Sequence, residues 1–365
     1  MTGLITINDN NNYGNRLQNY ASYVLLSKHD KTFNIIRKYG CETKNFPYGK
    51  ELFLKTIARW FVFHLKRLFP FQKAHALKTR HNNFIKFNKL MNNGEKINYK
   101  TNYHMLCKKY DKFIIGSDQV WNPTFPGNGM FINMLGFCHD SQKKYSLASS
   151  VSIENLSEKQ QKEFKNFLSD FQMISCREKQ GSDLIEKLIN RKVTTLSDPT
   201  LVIDANHWRK ISSKPKKHNS GSRYILTYFL GEKIPSYKTI VDSYQNKYGY
   251  QVINLNDIND RYYSSGPAEF LWLIDNCEIL LTDSYHGAIF AYLFEKPLKI
   301  FERISDSFPM NSRLVNLAKT LNLREDVFVS NNPDDLSLNN LVCDKNTIKC
   351  EKDKFSSFLS LIYTK

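Results

Sequence analysis

No window of this sequence offers the roughly 20 consecutive apolar residues that a membrane-spanning helix needs. The longest charge-free stretch, residues 119–139, is broken by Pro123, Pro126, Gly127, Asn128 and Gly129. Residues 1–7 (MTGLITI) have no basic region and too short an apolar run for a secretory signal, so a cytoplasmic protein is expected. The seven cysteines (Cys41, Cys107, Cys138, Cys176, Cys277, Cys343, Cys350) form no CxxC pair, which excludes a disulfide framework and predicts free thiols in a reducing compartment. Nine histidines show neither HxxxH nor HExxH spacing, so no metal site is expected. The dinucleotide fingerprint GxGxxG and the hydrolase elbow GxSxG are both missing. No repeat of solenoid period occurs. Zinc-finger spacing, an RRM signature and a basic zipper are absent too, and no nucleic-acid partner is expected.

What is present is a globular chain of 365 residues, 41% hydrophobic and 13% aromatic, with a formal charge of +17 from 52 Lys+Arg against 35 Asp+Glu. The charge is uneven. Residues 50–100 hold twelve Lys/Arg against only Glu51 and Glu95, which is ten of the seventeen excess charges. Within that segment, 52–69 (LFLKTIARWFVFHLKRLF) reads as a helix with Lys55, Arg59 and Lys66 within about 40° of one another at 100° per residue. Two readings stay open: a helix packed on the protein's own core, or one lying on anionic lipid with Lys73, Lys78 and Arg80 adding charge, a membrane-facing surface over 52–80.

Elsewhere short apolar runs alternate with helical stretches, which is α/β layering. Strands are expected at 4–7, 33–36, 112–115, 144–148, 172–176 and 193–196. After Asp198-Pro199 the pattern restarts, with strands at 224–228, 251–255, 278–282 and 298–301 and helices between them. The stretch 212–222 reads as a linker. The expected architecture is two Rossmann-like domains facing a cleft, with mainly parallel sheets: 1–211 with a basic insertion at about 50–100, then 212–340, then a C-terminal helix over 341–365. Ligands of such sheets bind beyond the carboxyl ends of the strands, so the cleft is the expected site.

Four blocks carry candidate chemistry, each at a strand end. In NYGNRLQ (residues 12–18), Gly14 lets backbone approach a ligand at a helix N-terminus, though an ordinary strand-to-helix turn reads the same way. In GSDQVWNP (116–123), Ser117, Asp118 and Gln119 crowd one loop beside Trp121, a combination suited to a sugar. In SCRE (175–178), Arg177 is either half of a surface ion pair with Glu178 or a guanidinium that grips a carboxylate or phosphate from the cleft. In TDSYHG (282–287), His286 stands in a first helical turn next to Ser284 and Tyr285 and is an acid–base candidate.

Taken in order, with SCRE followed by DPTL and TDSYHG followed by EKP, these blocks resemble the polysaccharide pyruvyl transferase family over nearly the whole chain. The resemblance implies a glycosyltransferase-B-like fold, no bound cofactor, and phosphoenolpyruvate as co-substrate. It implies transfer of the pyruvyl group to a sugar, as a cyclic ketal, on a polyprenyl-diphosphate-linked precursor of a bacterial surface polysaccharide such as a capsule or lipopolysaccharide. The acceptor location would make the enzyme peripheral on the inner face of the plasma membrane. It implies that His286 and Arg177 serve the phosphoenolpyruvate site. Family members carry a further basic residue about twenty positions after the histidine; Asp306 stands there in this chain, so Arg303 or Arg313 would substitute. Ser284 and Tyr285 would assist at that site. On the acceptor side, Asp118 would bind or deprotonate a sugar hydroxyl, Trp121 would stack on the ring, and Ser117, Gln119, Asn15 and Gln18 would line the cleft. The rival readings are a nucleotide-sugar glycosyltransferase of the same architecture and a catalytically idle scaffold.

Overall fold

The computed structural model describes residues 1–37, 71–98, 100–124, 130–153, 155–216, 218–219, 221–231, 235–302, 311–329 and 334–364. The helix expected at 52–69, and Arg303, lie outside the described residues.

The described chain opens with β1 (Thr2–Ile5), α1 (Tyr13–Ser27), β2 (Thr32–Arg37), α2 (Phe71–Asn88), β3 (Asn93–Ile97), α3 (Tyr103–Lys109) and β4 (Lys112–Ile115). It continues through α4 (Met130–Asn133), β5 (Lys144–Ser146), α5 (Glu158–Leu168), β6 (Ser175–Cys176), α6 (Lys179–Ile189), β7 (Thr194–Thr195), α7 (Pro199–Val202) and α8 (Ala205–Ile211). A second series follows: β8 (Tyr224–Tyr228), α9 (Pro235–Tyr248), β9 (Gln251–Asn254), α10 (Pro267–Asp275), β10 (Ile279–Thr282), α11 (Tyr285–Leu293), β11 (Leu298–Ile300) and α12 (Asn311–Thr320). A long helix, α13 (Lys345–Tyr363), closes it.

The first sheet has the order β3-β2-β1-β4-β5 and is parallel throughout, with Leu4 opposite both Asn34 and Ile114. Bridges Tyr145↔Met173 and Ser149↔Cys176 carry the same direction on to the parallel pair β6–β7. The second sheet, β11-β10-β8-β9, is parallel as well. This is the expected α/β, glycosyltransferase-B-like arrangement. In the first sheet the winding reverses between β1 and β4, which opens a crevice past their carboxyl ends.

Parallel strands covered on both faces are apolar almost without interruption, and their side chains alternate between two cores. Leu4 and Ile114 face one core, while Ile5, Phe113 and Ile115 face another. The first of these cores is shared: Leu4 and Ile114 belong to the same buried cluster as Leu226 and Leu280 of the second sheet and Ala288–Phe294 of α11. Helix α13 adds Phe355, Phe358, Leu359 and Ile362 to it. The end of α13 returns to β1, with the Tyr363 hydroxyl 3.0 Å from Thr2 Oγ1 and its ring stacked on His29. One apolar core therefore fixes the two sheets against each other and sets the spacing of the loops above it.

Helix α2 corrects the reading of Arg80 as a membrane-facing charge. Arg80 is buried; its Nη1 donates to Tyr13 Oη and to the Tyr263 carbonyl at 2.7 Å, and its Nη2 donates to the Asn11 carbonyl at 3.2 Å. The guanidinium also lies over the Tyr13 and Tyr263 rings, at 4.4 and 4.9 Å from their centroids. Tyr13 is in turn stacked on Phe270, at 4.4 Å and 9°. A helical wheel shows which face carries charge, but it does not show which cation the chain folds around. Lys78 remains exposed on the opposite face of α2.

Candidate functional site

The loops at the carboxyl ends of β1, β4, β6, β7 and β10 meet. The end of β1 leads through Asn8–Asn12 into α1, whose first turn is fixed by Asn12 Oδ1 accepting from the Asn15 N–H at 3.1 Å. Past β4 the backbone turns at Gly116 (φ 122°) and Asp118 (φ 67°), placing a non-glycine residue in the left-handed region, a departure that tends to mark working sites. Arg177 follows β6 and Asp198 follows β7. Across from them, His286 stands in the first turn of α11, which Ser284 caps by accepting from the Gly287 N–H at 3.2 Å.

A chain of polar contacts links these loops. Asn15 Nδ2 donates to Asp118 Oδ2 at 2.9 Å. Asp118 Oδ1 lies 3.8 Å from Arg177 Nη1, and the same Nη1 donates to Asp198 Oδ2 at 2.9 Å. His286 Nε2 reaches that oxygen at 3.3 Å. Thr200 holds the other oxygen of Asp198 through its N–H (3.0 Å) and hydroxyl (2.7 Å). Two guanidiniums lie over the aromatic ring of Tyr285, with Arg177 Cζ 4.8 Å and Arg313 Cζ 4.9 Å from its centroid. Glu178 completes the group, 3.6 Å from Arg177 Nη2, with Oε1 accepting from the Ser150 hydroxyl.

The electrostatics follow from burial and pairing. Burial pushes the carboxyl of Asp198 up, but His286, Arg177 and Thr200 outweigh it and hold the group far below the usual range. Burial likewise opposes ionisation of Asp118, and Arg177, His286, Arg313 and Asn15 together bring it below its ordinary value. Arg177 is desolvated, yet Glu178, Tyr285, Asp198 and Asp118 raise it further and keep it charged. Arg313 differs. Burial and the neighbouring Arg177 charge lower it to about 10, so a second cation is held beside the first at an energetic cost.

Buried donors remain open there. Arg177 Nε and Nη2 and Arg313 Nε are buried and make no hydrogen bond among the described residues. An unpartnered buried N–H costs roughly 1–3 kcal/mol, more when charged, so these groups call for an acceptor from outside the protein. The first turns of α1 and α11 meet there, with Gly14 of one against His286 of the other, and helix N-termini favour an anion. Among the described residues no three His, Cys, Asp or Glu side chains gather as a metal site would require.

Most residues singled out in the sequence come together here: Asp118, Arg177, His286, Tyr285 and Arg313 form the cluster, Asn15 holds Asp118, and Ser284 caps the helix that carries His286. Gln18 stands one step behind, fully buried, with Nε2 donating to Thr6 Oγ1 and to the Asn15 carbonyl, both at 3.0 Å. Ser117 is buried with its hydroxyl unpartnered, and Gln119 is buried in the same loop. Trp121 is a correction. It is 0% exposed, donates its indole N–H to the Asn133 carbonyl at 2.9 Å and packs edge-on against Phe171, so it is a core residue and offers no face to a sugar. Asp198, which the sequence marks only as a turn before Pro199, joins the cluster in the fold.

Among the described residues no helix is long and apolar enough to cross a membrane. No curated protein matches the chain at a significant level. Among solved structures, the chain is similar to an uncharacterised protein from Klebsiella pneumoniae subsp. pneumoniae NTUH-K2044, at 15% identity, a TM-score of 0.37, and coverage of 68% of this chain and 84% of that one. The family model described as polysaccharide pyruvyl transferase matches residues 12–298, a span that contains Asn15, Asp118, Arg177, Asp198 and His286. With that match over most of its length, and on a parallel α/β fold whose strand ends meet in one polar cluster, the chain belongs to the polysaccharide pyruvyl transferase family.

Proposed function

We propose that this pyruvyl transferase takes phosphoenolpyruvate as donor and forms a cyclic pyruvate ketal on a sugar of a surface-polysaccharide precursor. The observation that carries the reading is the set of buried, unpartnered guanidinium N–H groups on Arg177 and Arg313 beside His286. Phosphoenolpyruvate has a carboxylate and a phosphate on adjacent carbons, and two guanidiniums 4.8 and 4.9 Å from the centroid of one tyrosine ring suit two anionic groups on a small molecule. Arg313 fills the role of the further cation on described residues; Arg303 remains the other candidate.

The chemistry then divides among the side chains. His286 gives a proton to the methylene carbon, which becomes a methyl group and leaves an oxocarbenium-like centre at the neighbouring carbon. A sugar hydroxyl adds to that centre and returns a proton to His286, which the first step left without one. The C–O bond to phosphate breaks, with Arg177 and Arg313 neutralising the leaving charge, and a second hydroxyl of the same sugar closes the ketal and gives its proton to the departing phosphate. Asp118, whose carboxyl Arg177, His286, Arg313 and Asn15 hold below its ordinary value, accepts the hydrogen bond of the entering hydroxyl and orients it. We further propose a polyprenyl-diphosphate-linked acceptor and action at the inner face of the plasma membrane, with the basic segment that precedes α2 as the membrane contact. Calorimetric titration with phosphoenolpyruvate tests the donor site. Binding that is lost in Arg313→Ala is expected, and an unmodified protein that takes up no phosphoenolpyruvate would sink the assignment.

A further inference from the structure

We infer that Asp198 is a positioning residue for the transfer, acting through His286 and Arg177 together; the inference rests on the functional reading above. A carboxylate offers about four lone-pair directions. All four are used: Oδ1 accepts from the Thr200 N–H and hydroxyl, and Oδ2 accepts from Arg177 Nη1 and His286 Nε2. Asp198 is 0% exposed, so it has neither an open oxygen nor a path to a substrate, and whatever it contributes passes through its partners.

Two consequences follow. An acceptor-only carboxylate facing His286 Nε2 requires the proton on that nitrogen, which fixes the tautomer and leaves Nδ1 as the nitrogen that exchanges protons. Nδ1 makes no hydrogen bond among the described residues and lies against Gly14, the first-turn glycine of α1. The second consequence concerns distance. Asp198 and Arg177 follow the strands of the β6–β7 pair, which continues from the first sheet, and His286 follows the second sheet, 88 positions from Asp198 in sequence. One oxygen shared between a guanidinium of the β6–β7 pair and an imidazole of the second sheet holds the anion-binding group and the proton-handling group in register.

The test compares the unmodified protein with Asp198→Asn and Thr200→Val. Asparagine keeps the shape but carries no charge and has one acceptor oxygen where the carboxylate has two, so it cannot serve Thr200 and the Arg177–His286 pair at once. Thr200→Val keeps the charge and loosens only its support. In ¹⁵N-histidine-labelled protein, with His286→Gln for assignment, the unmodified protein is expected to show His286 protonated on Nε2, and Asp198→Asn to lose that signature. The phosphate-release rate of Asp198→Asn is expected to fall about 10²-fold or more, with KM for phosphoenolpyruvate rising less than tenfold and a smaller loss in Thr200→Val. Either a neutral His286 protonated on Nδ1 alone in the unmodified protein or an Asp198→Asn enzyme within threefold of its kcat overturns the inference. Because the spectrum is read on the unmodified chain, an Asp198→Asn protein that fails to fold leaves the test intact. Failure of the functional reading shows separately, as no phosphoenolpyruvate-dependent phosphate release from the unmodified enzyme.

Discussion

Gly14 and His286 share one space: a Cβ on the glycine would fall 2.2 Å from the imidazole Nδ1, so the ring lies where any other residue would carry its side chain. Gly14→Ala therefore has to displace the histidine or the first turn of α1. Misplacing a reacting group by about 1 Å costs on the order of 10²-fold, and a loss of kcat/KM of that size is expected, with overpacking adding roughly 1–3 kcal/mol of destabilisation. Steady-state kinetics beside thermal unfolding checks both figures.

The two arginines are predicted to separate binding from stability. Arg177 offsets Asp118, Asp198 and Glu178, and its removal leaves buried carboxylates without a counter-charge, costing roughly 3–5 kcal/mol. Arg313 is held against desolvation and a like charge, so Arg313→Ala is expected to leave the melting temperature unchanged or raised. Both variants should weaken phosphoenolpyruvate by about 2–4 kcal/mol, roughly 30- to 900-fold in Kd. Equal destabilisation by the two substitutions would contradict this electrostatic account.

Acid should loosen the site in a defined direction. Asp118 and Asp198 both have folded-state values below their unfolded value of 3.8, so the unfolded chain binds more protons as pH falls. Their stabilisation is fully present above about pH 5 and is lost progressively as pH drops through the folded-state values. Denaturant unfolding at stepped pH is expected to show stability declining below pH 5, with a shallower slope in Asp198→Asn.

Arg80 tests whether the charge excess is all surface. Because four groups on two segments, 11–13 and 255–263, accept from its guanidinium, Arg80→Ala is expected to cost roughly 2–4 kcal/mol of stability and to leave binding to anionic liposomes unchanged. Lys78→Glu, on the exposed face of the same helix, should do the reverse. Co-sedimentation with anionic vesicles, run beside thermal melts, separates the two effects.

The strands that build the site were legible because each is an apolar run ending in a polar turn, as at 113–118 and 279–284, and such runs state both their structure and their direction. The edge strand β3 was not, since Asn93-Gly94-Glu95-Lys96 carries little apolar signal and takes its structure from pairing with β2. Arg177 and His286 stand out in the sequence because each ends a short polar block at a strand end, and the fold brings the two blocks together through Asp198. The sequence does not show that Trp121 is covered, since an indole next to polar residues looks exposed until the fold packs it, nor that Asp198 is reached by a histidine 88 positions away.

Pyruvyl transfer from phosphoenolpyruvate can be read in a single experiment, mass spectrometry of a defined glycan acceptor incubated with the protein and carbon-13-labelled phosphoenolpyruvate. One labelled pyruvyl ketal per modified sugar and one phosphate released per transfer are expected, both abolished in His286→Ala. A glycan that gains a sugar from a nucleotide-sugar donor instead, or label incorporated equally by His286→Ala, would contradict it.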